Sequence, residues 1–270
     1  MSKLSVIMPV YNTKKYLPDS IESILNQDFS DFEFIILDDF SDDGSFEICK
    51  KYAEKDTRIK LFRNKKNMGI SFSRNKLISL AKTEIICSQD SDDISHKNRL
   101  SLQFDFLRKN PEFAVCSSNN EIIDENGKII GFRKYITKIE KVILKKSPIS
   151  NGSAMFRKNI FLEVGGYDKN LDYAEDYDLW LKIFSKGYKI GIINEFLYKV
   201  RIRDGQTKSK NLKKTLKNTL FVQKRAFKKY GLKPNFSDKI SYFLLKILYF
   251  FPSFFILYLF KKLEYKNDKR

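Results

Sequence analysis

The feature that most constrains this chain is an alternation in its first hundred residues. Short unbroken apolar runs take turns with amphipathic helical stretches, and the apolar runs end in polar or acidic residues. Leu4–Val10 reads as a buried strand stopped by Pro9 and Asn12. A helical face on Leu17, Ile21, Ile24 and Leu25 follows. Phe32–Asp39 is a second strand, and Phe46, Cys49, Tyr52 and Ala53 mark a second helix. Ile59–Arg63 and Ser73–Lys82 repeat the pair, and Glu84–Ser88 is a fourth strand. Strands separated by crossover helices predict an α/β fold, a largely parallel sheet flanked by helices on both faces. In such sheets ligands bind beyond the carboxyl ends of the strands, near a topological switch point.

Beyond residue 111 the pattern is mixed. Ala114–Ser118 and Glu121–Asp124 are strand-like, and Asn126-Gly127 signals a hairpin. A helix is expected from Glu175 to Lys186 with Gly187 as its stop, then a strand over Tyr188–Ile193.

The strand ends carry the chemistry-bearing residues. Asn12 closes the first, Asp38 and Asp39 the second, and Asp90, Asp92 and Asp93 the fourth. Three carboxylates within four residues repel one another unless a cation neutralises them. Oxygen-only ligands with open positions suit Mg²⁺ or Mn²⁺, so a divalent cation is the expected cofactor. Asp38 and Asp39 stand where a base and ribose can be gripped, whereas Ser41, Asp42 and Asp43 read as a turn and helix cap. Glu175 and Asp176 fall in the first turn of a helix. Its dipole favours carboxylates in any protein, yet a carboxylate there can also take a proton from a hydroxyl. Tyr177 and Trp180 leave two readings open, a ring face for a sugar or core packing.

Composition excludes other chemistries. His96 is the sole histidine, so a Ser-His-Asp triad or a multi-histidine metal centre is ruled out. Cys49, Cys87 and Cys116 match no zinc spacing and read as small buried hydrophobes. Leu4–Val10 is too short for a signal peptide, so a cytoplasmic location is expected.

These motifs resemble a known family. Ser5-Val6-Ile7-Met8-Pro9-Val10-Tyr11-Asn12, Ile36-Leu37-Asp38-Asp39 with Ser41-Asp42-Asp43-Gly44-Ser45, Asn67-Met68-Gly69-Ile70-Ser71 with Arg74-Asn75, Asp90-Ser91-Asp92-Asp93 and Glu175-Asp176 occur in the order seen in family 2 glycosyltransferases. The resemblance spans roughly residues 4–205 and implies the GT-A fold, a mixed, largely parallel sheet. It implies that Val10, Asn12, Asp39 and Asp38 line a base and ribose pocket, with Arg74 approaching base or diphosphate. Asp90 and Asp92 would form the DxD that touches ribose and cation, with Asp93 adjacent. Asp176 would be the general base, and Asn151, Gly152, Glu175 and Trp180 would border the donor or acceptor sugar. One departure stands out: Arg203 occupies the place where many relatives carry a metal-binding histidine. An arginine cannot ligate a cation, and with Arg201 it is expected to meet the diphosphate instead.

The activity so implied is inverting transfer of a sugar from a nucleotide diphosphate, a UDP-sugar by family habit. The acceptor would be a hydroxyl of a glycan or lipid-linked glycan in surface polysaccharide or lipo-oligosaccharide synthesis. A polyprenyl-phosphate acceptor is the alternative, but it needs no general base. A non-catalytic nucleotide-binding module is the other.

The remaining charge is concentrated at the end. The chain's net charge is +18, and residues 201–270 hold 19 Lys and Arg against 4 Asp and Glu. A catalytic domain over 1–205 and a basic helical tail over 206–270 are therefore expected. Ile240–Phe260 is apolar with Lys246 as its only charge. Pro252 interrupts it, so two short helices lying in a membrane interface are favoured over one spanning helix. Lys239, Lys261, Lys262 and the basic 208–229 stretch would meet anionic headgroups at the inner face of the cell membrane. Packing on the domain or in a homodimer also stays open. Nucleic acid explains the charge but not Phe250-Phe251 and Phe254-Phe255, so no nucleic-acid partner is expected.

Overall fold

The computed structural model describes residues 2–203, 211–253 and 255–256. Asp204, Gly205, Lys208, Phe254, Lys261, Lys262 and the boundary expected at 205/206 lie outside the described residues.

The expected alternation folds as β1 (Leu4–Val10), α1 (Leu17–Leu25), β2 (Phe32–Asp38), α2 (Ser45–Lys55), β3 (Ile59–Arg63), α3 (Ile70–Leu80) and β4 (Ile85–Ser88). β1 pairs in parallel with β2 on one side and with β4 on the other, and β3 lies outside β2. The chain thus winds outward from β1 through β2 and β3, then returns to β1's other edge as β4. The switch point is the gap beyond the carboxyl ends of β1 and β4.

The second half makes the sheet mixed. It contains β5 (Ile94–Ser95), α4 (Arg99–Lys109), β6 (Phe113–Ile123), β7 (Ile129–Arg133), β8 (Met155–Arg157), α5 (Lys158–Glu163), α6 (Glu175–Ser185) and β9 (Lys189–Arg201). Two helices, α7 (Leu212–Lys228) and α8 (Phe236–Phe250), follow. The sheet runs β3-β2-β1-β4-β8-β6-β9-β5, with β7 on β6. β8 is antiparallel to both β4 and β6, while β6 and β9 are parallel.

Period-two alternation along β1 divides the core in two. Leu4, Val6, Met8 and Val10 face α1 together with Cys49 of α2 and Leu100 and Leu107 of α4. Ile7 faces the other layer, where Leu77 and Ile78 of α3, Trp180 of α6 and Val222 and Ala226 of α7 pack. All three cysteines are free and buried.

Two differences from the sequence reading have physical causes. The separate strands expected over Ala114–Ser118 and Glu121–Asp124 are one strand, β6. The polar pair between them, Asn119 and Asn120, is buried within it. Asn119 is satisfied there by Asn194 Oδ1 at 3.1 Å and by the amide of Tyr135 at 2.9 Å, as a buried amide must be. The strand expected over Tyr188–Ile193 continues to Arg201, because β9 tracks β6 along its length with register shifts. The Asn126-Gly127 hairpin joins antiparallel β6 and β7, with Gly127 at φ +84°.

In the tail, α8 ends before Pro252. Among the described residues no helix is long and apolar enough to cross a membrane.

Candidate functional site

The loops after β1, β2 and β4 meet at the switch point. Asn12, in the left-handed region at φ +52°, interlocks with the loop after β2. Its Nδ2 donates to Asp42 Oδ1 at 2.9 Å, its Oδ1 accepts from the Asp42 amide at 3.1 Å, and its amide donates to Ser41 Oγ. Asp43 receives the amides of Lys14 and Ser45 at 2.9 Å each, which ties the two loops at a second point. Asn12, Lys14, Lys15, Tyr16, Asp43 and Arg203 line the cleft that opens there.

The adjacent acids Asp38 and Asp39 diverge. Asp39 is at the mouth of α3: its carboxylate accepts from Asn64 Nδ2 at 2.7 Å and from the amides of Met68 and Gly69 at 2.9 Å. It thereby holds the start of the helix that carries Arg74. Its partners leave part of a carboxylate's acceptor capacity open. Asp38, expected beside it in the nucleotide pocket, is instead fully buried under Arg63, whose Nε lies 3.0 Å from its Oδ2. That side chain is an internal strut and not a pocket wall. The pleat explains the difference, since neighbouring residues on an extended chain point to opposite faces. The side chain of Val10 likewise turns into the core below the cleft.

Arg74 connects the clusters. It is buried, with Nη2 3.0 Å from Asp90 Oδ1 and Nη1 2.6 Å from Glu175 Oε1. Burial opposes its charge, but Asp90 and then Glu175 outweigh this and hold its pKa above the usual arginine value. The field of Asp176 reaches both Arg74 and Tyr167. One guanidinium therefore draws the end of β4 and the start of α6 together, 101 residues apart for the Glu175 contact.

The 151–153 segment closes on the same point. The Tyr167 hydroxyl lies 2.6 Å from the Asn151 side-chain amide. At Gly152 a Cβ would stand 2.5 Å from Tyr198 Oη and 2.7 Å from Asp90 Oδ2, so only glycine fits.

Asp92 and Asp93 face different ways. Asp92 pairs with Arg203 at 3.1 Å, and Arg203 also lies over the Tyr16 ring. Burial raises the Asp92 carboxyl above its ordinary pKa, Asp90 adds to this, and Arg203 opposes it. Asp93 points inward, accepting from the Arg201 amide at 2.8 Å, and burial pushes its pKa well up. Asp93 is thus turned away from the cleft, in contrast to its expected place in the cation set. Among the described residues no three His, Cys, Asp or Glu side chains converge on one point.

Two further expectations are corrected by burial. Trp180 has no exposed surface and belongs to the core beneath α6, so its ring meets no sugar. Arg201 is committed within the protein: it donates to the carbonyls of Asp92 and Glu125 at 2.9 and 3.0 Å and lies 3.2 Å from Asp19. Arg203 is left as the cleft-facing arginine of that pair.

Arg99 is a residue that no motif reveals. Fully buried, it donates to Gln89, Ser95, the Ser88 carbonyl and the Gly152 carbonyl. It thereby sets the end of β4 against the 151–153 segment. A lone arginine in an amphipathic helix has no sequence signal that separates it from a surface residue.

This assembly sets arginines and carboxylates beside a helix start, and comparisons with known proteins identify the family to which the chain belongs. Residues 5–165 match the model of "Glycosyl transferase family 2". An uncharacterized glycosyltransferase of Methanocaldococcus jannaschii is 36% identical over 95% of this chain and 88% of its own. The O-antigen biosynthesis glycosyltransferase WbnJ of Escherichia coli is 35% identical over 78% of this chain and 84% of its own. Residues 1–349 of S. aureus TarS, solved in complex with UDP-GlcNAc, superpose with a TM-score of 0.66 at 20% identity, over 90% of this chain and 79% of that one, which bears on the fold. The chain is a member of glycosyl transferase family 2 and has the GT-A fold.

Proposed function

We propose that this glycosyltransferase moves a sugar, with inversion, from a UDP-sugar to a hydroxyl of a glycan or lipid-linked glycan. It would act in surface polysaccharide or lipo-oligosaccharide synthesis, as a peripheral enzyme at the inner face of the cell membrane. The observation that carries the reading is the Arg74 bridge from Asp90 to Glu175. It draws the Asp90 end of β4 against the first turn of α6, the turn that carries Asp176. WbnJ's role in O-antigen biosynthesis and the UDP-GlcNAc bound to TarS support the choice of pathway class and nucleotide.

In this reading Asn12 and Asp39 border the base and ribose, and Arg203 meets the diphosphate. Asp90 and Asp92 would hold a Mg²⁺ or Mn²⁺ ion. The residues fit such an ion: two oxygen donors, one of them desolvated beside the other's like charge, suit a hard cation. When bound, the cation neutralises charge on the departing nucleoside diphosphate. Asp176 takes the acceptor's proton as the hydroxyl oxygen attacks the anomeric carbon from the face opposite the leaving group. With no side chain at 152, that backbone approaches Asp90 and Tyr198 closely and sets one wall beside the acidic pair.

Asp176→Asn tests this. Turnover is expected to fall by about 10²–10⁴, with UDP affinity by calorimetry unchanged. Wild-type turnover in the variant would overturn the assignment. A wild-type chain that binds UDP but transfers nothing to any glycan acceptor would be a nucleotide-binding module.

A further inference from the structure

We infer that α8 is a docking helix for an anionic bilayer, lying flat with one defined face in the headgroup region. The inference deepens the peripheral location proposed above and rests on it.

α8 is a properly terminated helix. Asn235 Oδ1 accepts from the Asp238 amide at 2.9 Å, and Asp238 Oδ2 accepts from the Asn235 amide at 3.0 Å, a reciprocal cap at its start. Its inner side is anchored. Asp238 is buried near Lys145, and Tyr242 meets Phe227 of α7 edge-on at 5.6 Å.

The opposite side is the anomaly. Phe236, Ile240, Phe243, Leu244, Ile247 and Phe250 recur at helical spacing on a single stripe and are exposed. Phe236 is 79% exposed, Phe243 60%, Leu244 57% and Phe250 81%. A continuous apolar stripe of this size on a formed helix marks a contact surface. Its rim identifies the contact. Lys239 and Lys246 are exposed along one edge of the stripe. On α7, against which α8 packs, Lys213, Lys217, Lys224 and Lys228 are exposed in one row that also contains Phe221. Within α8 the only acidic residue is Asp238, which is turned inward. An apolar face with a cationic rim matches acyl chains beneath anionic headgroups. The helix is too short to cross the bilayer, and Pro252 ends it.

The test is sedimentation of the full chain with vesicles of phosphatidylcholine alone or mixed with phosphatidylglycerol. The wild type is expected to sediment with the mixed vesicles and to be released by salt. Leu244→Glu with Ile247→Glu should weaken binding at least about tenfold. Reversing Lys239 or Lys246 to Glu should weaken it about fivefold or more each. Unchanged melting temperature and UDP affinity would show that each variant is folded. The inference is overturned if the wild type stays in solution with mixed vesicles. It is also overturned if the Leu244 and Ile247 variant binds as tightly as the wild type. A wild-type dimer in light scattering that the same variant splits, with no vesicle binding, would assign the face to a second copy. Donor hydrolysis without vesicles reports the transfer chemistry separately, so either reading can fail alone.

Discussion

Position 152 shows how tightly the cleft is drawn. Gly152→Ala places a methyl carbon inside contact distance of Tyr198 Oη and Asp90 Oδ2, and neither atom is the loose end of a flexible chain. Overpacking of this kind costs about 1–3 kcal/mol. A lower urea midpoint and weaker UDP binding are expected together, because Asp90 must move. At Arg203 the expectation runs the other way. Its guanidinium holds Asp92 in a partly exposed pair, worth about 0.5–1.5 kcal/mol. Arg203→Ala should therefore tighten Mn²⁺ binding to the nucleotide-free protein by about three- to tenfold in paramagnetic titration. The same variant should bind UDP more weakly in chelator. At this scale the sequence is legible in part. The motifs identify Asn12, Arg74, Asp90 and Asp92, which the fold does gather. They do not separate Asp39 from Asp38, or Asp92 from Asp93. Adjacent acids look alike in a string, and only the pleat and the turn decide which one faces solvent.

Among the elements, α6 has an unexpected dependence on the tail. Arg225 of α7 lies 3.2 Å from Asp178 and 2.8 Å from Asp168, and Asn218 donates to the Tyr173 carbonyl just before α6. α7 thus braces the helix whose first turn holds Asp176. In Arg225→Met, Asp178 retains Lys182 at 2.9 Å and Tyr230 at 2.7 Å, so the loss is partial, about 1–3 kcal/mol. The urea midpoint should fall accordingly, and kcat should drop while the Kd for UDP stays near wild type. That coupling is invisible in the sequence, where residues 206–270 read as a separate basic tail. Charge and periodicity describe α7's exposed lysines well but say nothing about Val222 and Ala226 packing in the same layer as Trp180. The first four strands are legible for the opposite reason. β1, β2 and β4 are short apolar runs buried on both faces, a pattern with few other structural meanings, and the half-exposed edge strand β3 follows from its place in the alternation. β6 is not, because satisfied buried asparagines look like a loop.

For the molecule as a whole, the site is a product of long-range closure. Asn12, Asp39, Arg74, Asp90, Gly152, Asp176 and Arg203 come from seven separate segments. Only the sheet's return from β3 to the free edge of β1 brings the first four together. The unfolded chain has no such cleft, so a ligand held there binds the native state alone and stabilises it by mass action. At about 100 times its Kd, UDP with Mn²⁺ should add about 2.7 kcal/mol, which for a domain of this size raises Tm by roughly 5–10 °C. Asp92→Asn should remove the Mn²⁺-dependent part of that rise and leave a smaller shift with UDP alone, because Arg203 and the walls of the cleft still meet the nucleotide. An equal shift in chelator for the wild type would mean that the acidic pair takes no metal, and that Arg203 alone balances the diphosphate's charge.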